Sequence, residues 1–191
     1  MYQTLNTLHI SESAVAQNIS YYQSLHPSSL IAPVIKANAY GHGLIDMANI
    51  YQRMGQIMLC VDSVYESQQI RMYSGYTGDI LVMGYTMPQN LAYKDMKGLH
   101  FVAYDMETIE TLYREHVDPK IHLKLDTGMN RQGIKLEDLD DFLVACQQIS
   151  GFRLEGLCSH LYDADNPDGH LSLSHSHQQL ERFLQGLSIV R

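Results

Sequence analysis

Short apolar runs alternate with segments of helical periodicity along this chain. Six runs have the length of buried β-strands, and they cover 30–35, 57–61, 80–83, 101–104, 121–125 and 154–158. The alternation predicts an α/β fold of about six strand–helix units, with parallel strands joined by crossover helices. The pattern alone fits either a closed (β/α)8 barrel or an open doubly wound sheet. A closed barrel usually needs ~250 residues, so a barrel of this length would be incomplete.

The sequence also marks where some helices begin. Ser63 followed by Glu66 forms a capping-box pattern, and Asp105 is a favourable N-cap residue before another helical segment. The polar stretch 163–177 predicts a long loop, and the apolar residues spaced along 180–187 predict the last helix. Loops that leave the carboxyl ends of strands carry the chemistry in α/β folds, so residues just after each apolar run are the first candidates.

Composition narrows the classes of protein that fit. The chain has 191 residues, 45% of them hydrophobic, which suits a single domain with one core. A net charge of −8 argues against nucleic acid and against an anionic membrane surface as partners. Three widely spaced cysteines do not suggest a disulfide framework. The N-terminal residues lack a signal-peptide pattern and no run approaches ~20 apolar residues, so a cytoplasmic protein outside the membrane is expected.

The first candidate for chemistry is Lys36, which directly follows the run 30–35. Burial there would desolvate the ammonium and favour the neutral amine, the form that attacks a carbonyl carbon. Small residues after it, including Gly41 and Gly43, would let a ligand approach the backbone, and the Tyr40 hydroxyl could donate to a phosphate. On position alone, a solvated surface lysine remains the alternative.

Two further candidates follow later strands. In the run 121–125 the residues alternate, so Lys124 shares one strand face with other polar residues. Arg131 lies in the next loop, where a guanidinium could bind a carboxylate or phenolate through paired hydrogen bonds. His160 follows the last run, where its ring could stack on an aromatic cofactor. A solvated turn and a structural histidine are the respective alternatives.

A metal site is not expected. Three histidines lie close together in sequence at 170, 175 and 177, but no cysteine accompanies them. The neighbouring aspartates also lack a recognised ligand spacing.

Three sequence blocks together resemble the N-terminal, cofactor-binding part of alanine racemase, a fold type III enzyme that uses pyridoxal 5'-phosphate (PLP). They are VIKANAYGHG at 34–43, HLKLDTGMNRQGI at 122–134 and GLCSHLYDAD at 156–165, and ILVMGY at 80–85 resembles the family's third strand. The resemblance covers nearly the whole chain. It implies a PLP-binding (β/α)8 TIM barrel, here incomplete, as the fold of residues 1–191.

The resemblance implies roles for individual residues. Lys36 would bind PLP covalently and, once released by substrate, act as one of two acid–base groups. Tyr40 would donate to the cofactor phosphate, and Val34 would line the pocket. Arg131 would bond the phenolic oxygen of PLP near the substrate carboxylate, and His160 would pack against the pyridine ring.

Further expectations concern supporting residues and partners. Lys124 would support Arg131, in some family members as a carbamate, and Asn130 stands where many members have glycine. The implied reaction is the interconversion of L- and D-alanine, which supplies a cell-wall precursor. It would be carried out by a homodimer in which a tyrosine of the other subunit is the second base. That base, the last barrel strands and a β-rich C-terminal domain are expected to lie outside residues 1–191, so this chain alone is expected to be inactive.

Two alternatives to an alanine racemase remain open at this point. One is a serine racemase of similar architecture, because the residues that select the substrate side chain lie partly outside the matching blocks. The other is a non-catalytic, single-domain PLP-binding protein, although such proteins differ from this chain after the lysine.

Overall fold

The computed structural model describes residues 5–91, 96–116, 118–165 and 169–190. The chain divides into two compact units. The first unit comprises residues 1–84 with 97–99, and the second comprises 85–96 with 100–191. Both units contain parallel strands and helices, as the alternating apolar pattern predicts.

The first unit is built around a parallel strand pair. Its elements are α1 (Glu12–Leu25), α2 (Lys36–Tyr40), α3 (Leu44–Arg53), β1 (Met58–Val61), α4 (Val64–Tyr73) and β2 (Asp79–Val82). The strands β1 and β2 pair in parallel, and Leu59 and Ile80 are fully buried between the helices. The Ser63 side chain accepts a hydrogen bond from the Glu66 amide and begins α4, which confirms this predicted cap.

The predicted first strand, 30–35, is wrong. Only Val34 forms a bridge there, parallel to Cys60, with the Ile35 amide donating to the Cys60 carbonyl. Pro33 accepts a hydrogen bond from Cys60 through its carbonyl but has no amide to donate, so it cannot continue a ladder. The backbone then turns away at Lys36, which ends the pairing.

The second unit contains the remaining elements. They are α5 (Pro88–Leu91), β3 (Leu99–Ala103, with His100 onward in this unit), α6 (Met106–Glu115), β4 (Lys120–Asp126), β5 (Ile134–Lys135), a 3-10 turn (Leu136–Asp138), α7 (Leu139–Gln147), β6 (Leu154–Cys158) and α8 (Gly169–Val190). Strand β4 pairs in parallel with β3, with β6 and with the short β5. The carboxyl ends of β4 and β6 therefore lie side by side.

Most of the predictions for the second unit are confirmed, and one is wrong. Along β4, buried and half-buried residues alternate, so Lys124 does lie on its polar face. Asp105 accepts a hydrogen bond from the Thr108 amide and begins α6. The predicted loop 163–177 is wrong over its second half, because α8 already begins at Gly169. No helix in the described part of the chain has the length and apolarity needed to cross a membrane.

Candidate cofactor site

The short segment α2 is a left-handed turn that follows Lys36 and not a regular α-helix. Ala37, Asn38, Ala39 and Tyr40 have φ values of 51°, 56°, 52° and 53°. Non-glycine residues rarely adopt this conformation, and each one costs roughly 1–2 kcal/mol. Four in succession persist only where the surrounding structure holds them, so this turn is a candidate functional element.

A set of local hydrogen bonds holds the turn. The Asn38 side-chain oxygen accepts from the Leu44 amide at 2.9 Å and so joins the turn to the start of α3. The Asn38 carbonyl accepts from the Gly43 amide at 3.0 Å, and the Ala39 amide donates to the Ile35 carbonyl at 2.8 Å. Asparagine suits this position because its short side chain bonds nearby backbone groups and tolerates the left-handed region.

Lys36 begins the turn and forms an ion pair. Its Nζ lies 3.3 Å from Asp62 Oδ1, and 35% of the lysine side chain is exposed. The lysine side chain is therefore only partly buried, and its nitrogen lies beside a carboxylate. Pairs of this exposure contribute about 0–1 kcal/mol, so a ligand can displace Asp62 at little cost.

Glu66 bonds the backbone beside Lys36 and the backbone of Asp62. Its carboxylate accepts hydrogen bonds of 2.7 Å from the Ala37 amide and from the Asp62 amide. In an ordinary capping box the glutamate would bond the amide of the N-cap residue. Here it instead joins the loop after β1 to the first residue of the left-handed turn.

Two other predicted site residues lie on an open cleft of the first unit. Tyr40 is 62% exposed and Val34 is 40% exposed, so both can contact a ligand. They line a cleft of about 260 Å³ together with Ile35, Ala39 and residues of α1 and α3. Lys36, Tyr40 and Val34 thus lie within one short stretch of the first unit.

Arg131 lies in the loop between β4 and β5 of the second unit, and its side chain is exposed. The Asp126 carboxylate shapes this loop by accepting from the Gly128 and Asn130 amides, both at 3.0 Å. Asn130 has a φ of 54°, a conformation that asparagine tolerates better than most residues. Asparagine is therefore accommodated at this position.

Lys124 contacts Gln132, the residue after Arg131. Its Nζ lies 3.4 Å from the Gln132 side-chain oxygen. Gln132 also hydrogen bonds Tyr104, whose pKa is raised by burial and by the nearby carboxylate of Asp105. The contact with Gln132 joins Lys124 to the loop that carries Arg131.

His122 lies on the same polar face of β4 as Lys124 and contacts His100 of β3. His122 Nε2 is 3.0 Å from His100 Nδ1. Burial lowers the pKa of His122, the nearby His100 and Lys120 lower it further, and Glu155 opposes them. The imidazole therefore gains its proton only at a lower pH than an exposed histidine does.

His160 follows Ser159, the first residue after β6, and is exposed. Its carbonyl accepts a 2.9 Å hydrogen bond from Gln179. Gln179, like Glu66, is a contact residue that sequence reasoning missed. The capping pattern marked Glu66 only as part of a helix start. No sequence pattern pointed to Gln179, which lies between the predicted loop 163–177 and the predicted last helix 180–187.

Of the histidines at 170, 175 and 177, only His175 and His177 have described side chains. His175 Nδ1 lies 2.9 Å from Asp163 Oδ2, and the side chain of His170 lies outside the described part. Among the described residues, no three histidine, cysteine, aspartate or glutamate side chains are arranged to hold a metal ion.

Comparison with known proteins identifies the family of this chain. A family model described as the N-terminal domain of alanine racemase matches residues 10–191. The chain belongs to the alanine racemase N-terminal domain family. The match extends through all three motif blocks and so includes Lys36, Arg131 and His160.

Curated relatives carry the same family name. Alanine racemase 2 of Caldanaerobacter subterraneus subsp. tengcongensis is 34% identical over 155 residues, which are 78% of this chain and 39% of that protein. The alanine racemase of Desulfovibrio desulfuricans is 30% identical over 186 residues, covering 95% of this chain and 49% of that protein. The chain thus spans less than half the length of these curated relatives.

A solved alanine racemase has the same fold. The enzyme from Bacillus anthracis, determined with bound L-Ala-P, matches with a TM-score of 0.80 at 28% identity, over 94% of this chain and 46% of that one. This likeness confirms the predicted fold class, an α/β chain of the alanine racemase (β/α)8 barrel type with about six of the strand–helix units.

Proposed function

We propose that this protein binds PLP through Lys36 and takes part in the interconversion of L- and D-alanine. The observation that carries the proposal is the strained turn that begins at Lys36 in a chain of the alanine racemase N-terminal domain family. Strain of this kind is retained where a backbone must present particular groups to a ligand.

The residues of this chain fit PLP. Lys36 offers a primary amine for the aldehyde carbon, beside a carboxylate that a ligand can displace. The exposed Tyr40 offers a hydroxyl donor for the phosphate, and Val34 offers an apolar surface. In the second unit, Arg131 would bind the phenolic oxygen and His160 would pack against the ring, with Lys124 supporting the Arg131 loop.

When bound, PLP supplies an electron-withdrawing ring that stabilises negative charge at the α-carbon of an amino acid. Lys36 Nζ would hold the proton removed from, or returned to, one face of that carbon. The Arg131 guanidinium would orient the substrate carboxylate by paired hydrogen bonds. Asp62 pairs with Lys36 Nζ when no ligand displaces it.

Racemisation needs a second acid–base group on the opposite face of the α-carbon. No residue of this chain is assigned to that role. Following the family resemblance, we propose that a tyrosine outside residues 1–191, in the second subunit of a homodimer, supplies it, so that residues 1–191 by themselves bind PLP without racemising alanine. The protein's place in the cell would then be the cytoplasm, where D-alanine is made for the cell wall.

A PLP titration followed by borohydride reduction tests the cofactor assignment. Borohydride makes the bond between a lysine nitrogen and PLP permanent, and peptide mapping then locates it. We expect the label on the peptide that contains Lys36, and we expect Lys36→Ala to lose both the visible absorbance and the label. Lys135→Ala, which removes an exposed lysine on β5, is the matched control. Equal labelling of the Lys36→Ala and Lys135→Ala variants would reject the assignment.

The activity is tested in the protein as it occurs in the cell, with L-alanine and L-serine as separate substrates. We expect D-alanine to form and Lys36→Ala to abolish turnover. A clear preference for serine would identify a serine racemase instead. PLP bound at Lys36 without turnover of either amino acid would identify a non-catalytic PLP-binding protein.

A further inference from the structure

Gln179 lies in the interior of the second unit with every polar atom of its side chain in use. It belongs to α8 and is 2% exposed. Its Nε2 donates to Thr127 Oγ1 at 3.0 Å and to the His160 carbonyl at 2.9 Å. Its Oε1 accepts from the Tyr162 amide at 3.1 Å. One side chain therefore joins the loop after β4 to the loop after β6.

The hydrogen bonds continue from Thr127 back to the strand. Thr127 Oγ1 lies 2.7 Å from Ser159 Oγ, and Ser159 Oγ donates to the Leu125 carbonyl at 2.9 Å. Because Ser159 uses its only proton on that carbonyl, Thr127 must donate to Ser159. Thr127 must then accept from Gln179, which is the same amide orientation that Tyr162 and His160 require independently.

The network thus has a single arrangement in which every donor meets an acceptor. A buried polar group that loses its partner costs roughly 1–3 kcal/mol, so alternative positions of the two loops are disfavoured. An apolar side chain of the same length could fill the same space without imposing that arrangement. What the amide adds is therefore geometric: it fixes Thr127 relative to His160.

These two positions lead to the residues assigned to the cofactor. Thr127 begins the loop that carries Arg131, and His160 is itself the residue assigned to the pyridine ring. We propose that Gln179 is a positioning residue that fixes the loops of Arg131 and His160 against each other, and that it thereby sets the affinity for PLP and the surroundings of its ring. This inference rests on the proposed function.

Two substitutions separate positioning from packing. Gln179→Met keeps the length of the side chain and removes all three hydrogen bonds. Gln179→Glu keeps an acceptor for Tyr162 but removes both donors. The matched controls are Gln185→Met and Gln185→Glu, at an exposed position of the same helix.

Hydrogen exchange of the PLP-free protein gives the first measurement. In Gln179→Met we expect the Tyr162 amide to exchange about tenfold faster than in Gln185→Met, since the opening of one local bond controls it. The amide of Leu123, in the core of β4, should exchange at the same rate in both variants. In Gln179→Glu the Tyr162 amide should remain protected.

PLP binding gives the second measurement. We expect both Gln179 variants to bind PLP about tenfold more weakly than their Gln185 controls. A tenfold change in affinity corresponds to the net free-energy contribution of about one hydrogen bond. The circular dichroism of bound PLP should also change, because that signal reports the asymmetry around the ring. A variant with a merely looser core would lower the melting temperature without changing this spectrum.

The failures are distinguishable. If borohydride reduction of the wild-type protein leaves no PLP attached to Lys36, the proposed function is wrong. If PLP is attached there, and the Gln179 variants match their Gln185 controls in PLP affinity and in circular dichroism, the positioning role alone is wrong. Should Gln179→Met fail to fold, Gln179→Glu decides by the same comparison.

Discussion

Replacing Glu66 with glutamine tests whether this side chain holds the strained turn at Lys36. The carboxylate accepts from two backbone amides, at Ala37 and at Asp62, both at 2.7 Å. Glutamine has the same shape but only one acceptor oxygen, and its NH2 group would face the second amide. At least one of the two short bonds must therefore be lost.

The magnitude follows from the kind of bond that is lost. Hydrogen bonds to charged groups contribute roughly 1.5–3 kcal/mol, and the half-buried position of Glu66 lets water replace part of that. We expect Glu66→Gln to lower the free energy of unfolding by about 1.5–3 kcal/mol, including the weaker interaction with the helix dipole. This is less than the usual 5–15 kcal/mol of a domain, so the variant should stay folded.

A matched control isolates the contribution of the turn. Glu107 also lies in the first turn of a ten-residue helix, α6, and is exposed. Glu107→Gln should cost only the dipole contribution of about 0.3–1 kcal/mol. Urea unfolding compares the two variants, and hydrogen exchange should show the Ala37 amide about tenfold faster in Glu66→Gln alone. Equal urea midpoints and unchanged exchange at Ala37 would refute the reasoning.

Two further predictions concern the second unit. Gly133 has a φ of 133°, and Gly133→Ala would place a Cβ 2.5 Å from the Asp126 backbone nitrogen. At Gly151 the φ is 77° and no atom lies within 4 Å of the added Cβ, so Gly151→Ala is the control. We expect the urea midpoint of Gly133→Ala to fall well below that of Gly151→Ala, and similar midpoints would contradict this. Burial lowers the pKa of His122, and the nearby His100 lowers it further. His122 therefore binds a proton more readily in the unfolded chain than in the folded one. The free energy of unfolding should then fall as the pH drops below the ordinary histidine value of 6.5. His122→Gln should flatten that fall in urea midpoints measured against pH, and an unchanged slope would contradict the assignment.

Local patterns predicted the elements well because their causes are local. The alternation along β4 and the helix starts at Ser63 and Asp105 each depend on a few neighbouring residues. The failure at 30–35 also has a local cause, since Pro33 and the turn at Lys36 stop the ladder after one bridge. An apolar run alone does not distinguish a strand from an extended segment that makes a single bridge.

The contacts of the candidate site could not be predicted in the same way. Glu66 bonds an amide 29 residues before it, and Gln179 bonds a hydroxyl 52 residues before it. Both bonds depend on how helices pack against strands, which hydrophobic periodicity does not specify. The left-handed turn was also missed, since only its asparagine and the following glycine favour positive φ, and the other three residues disfavour it.

The two missed residues show the same physical solution in each unit. Residues that motifs make conspicuous, such as Lys36 and His160, lie on loops, where few packing contacts restrict the backbone. A loop can hold a reactive group in place only if a rigid element bonds its backbone. In the first unit Glu66 of α4 bonds the backbone at Ala37, and in the second Gln179 of α8 bonds the backbone at His160. The chemistry is therefore presented by the loops, and its precision comes from polar side chains of the helices behind them.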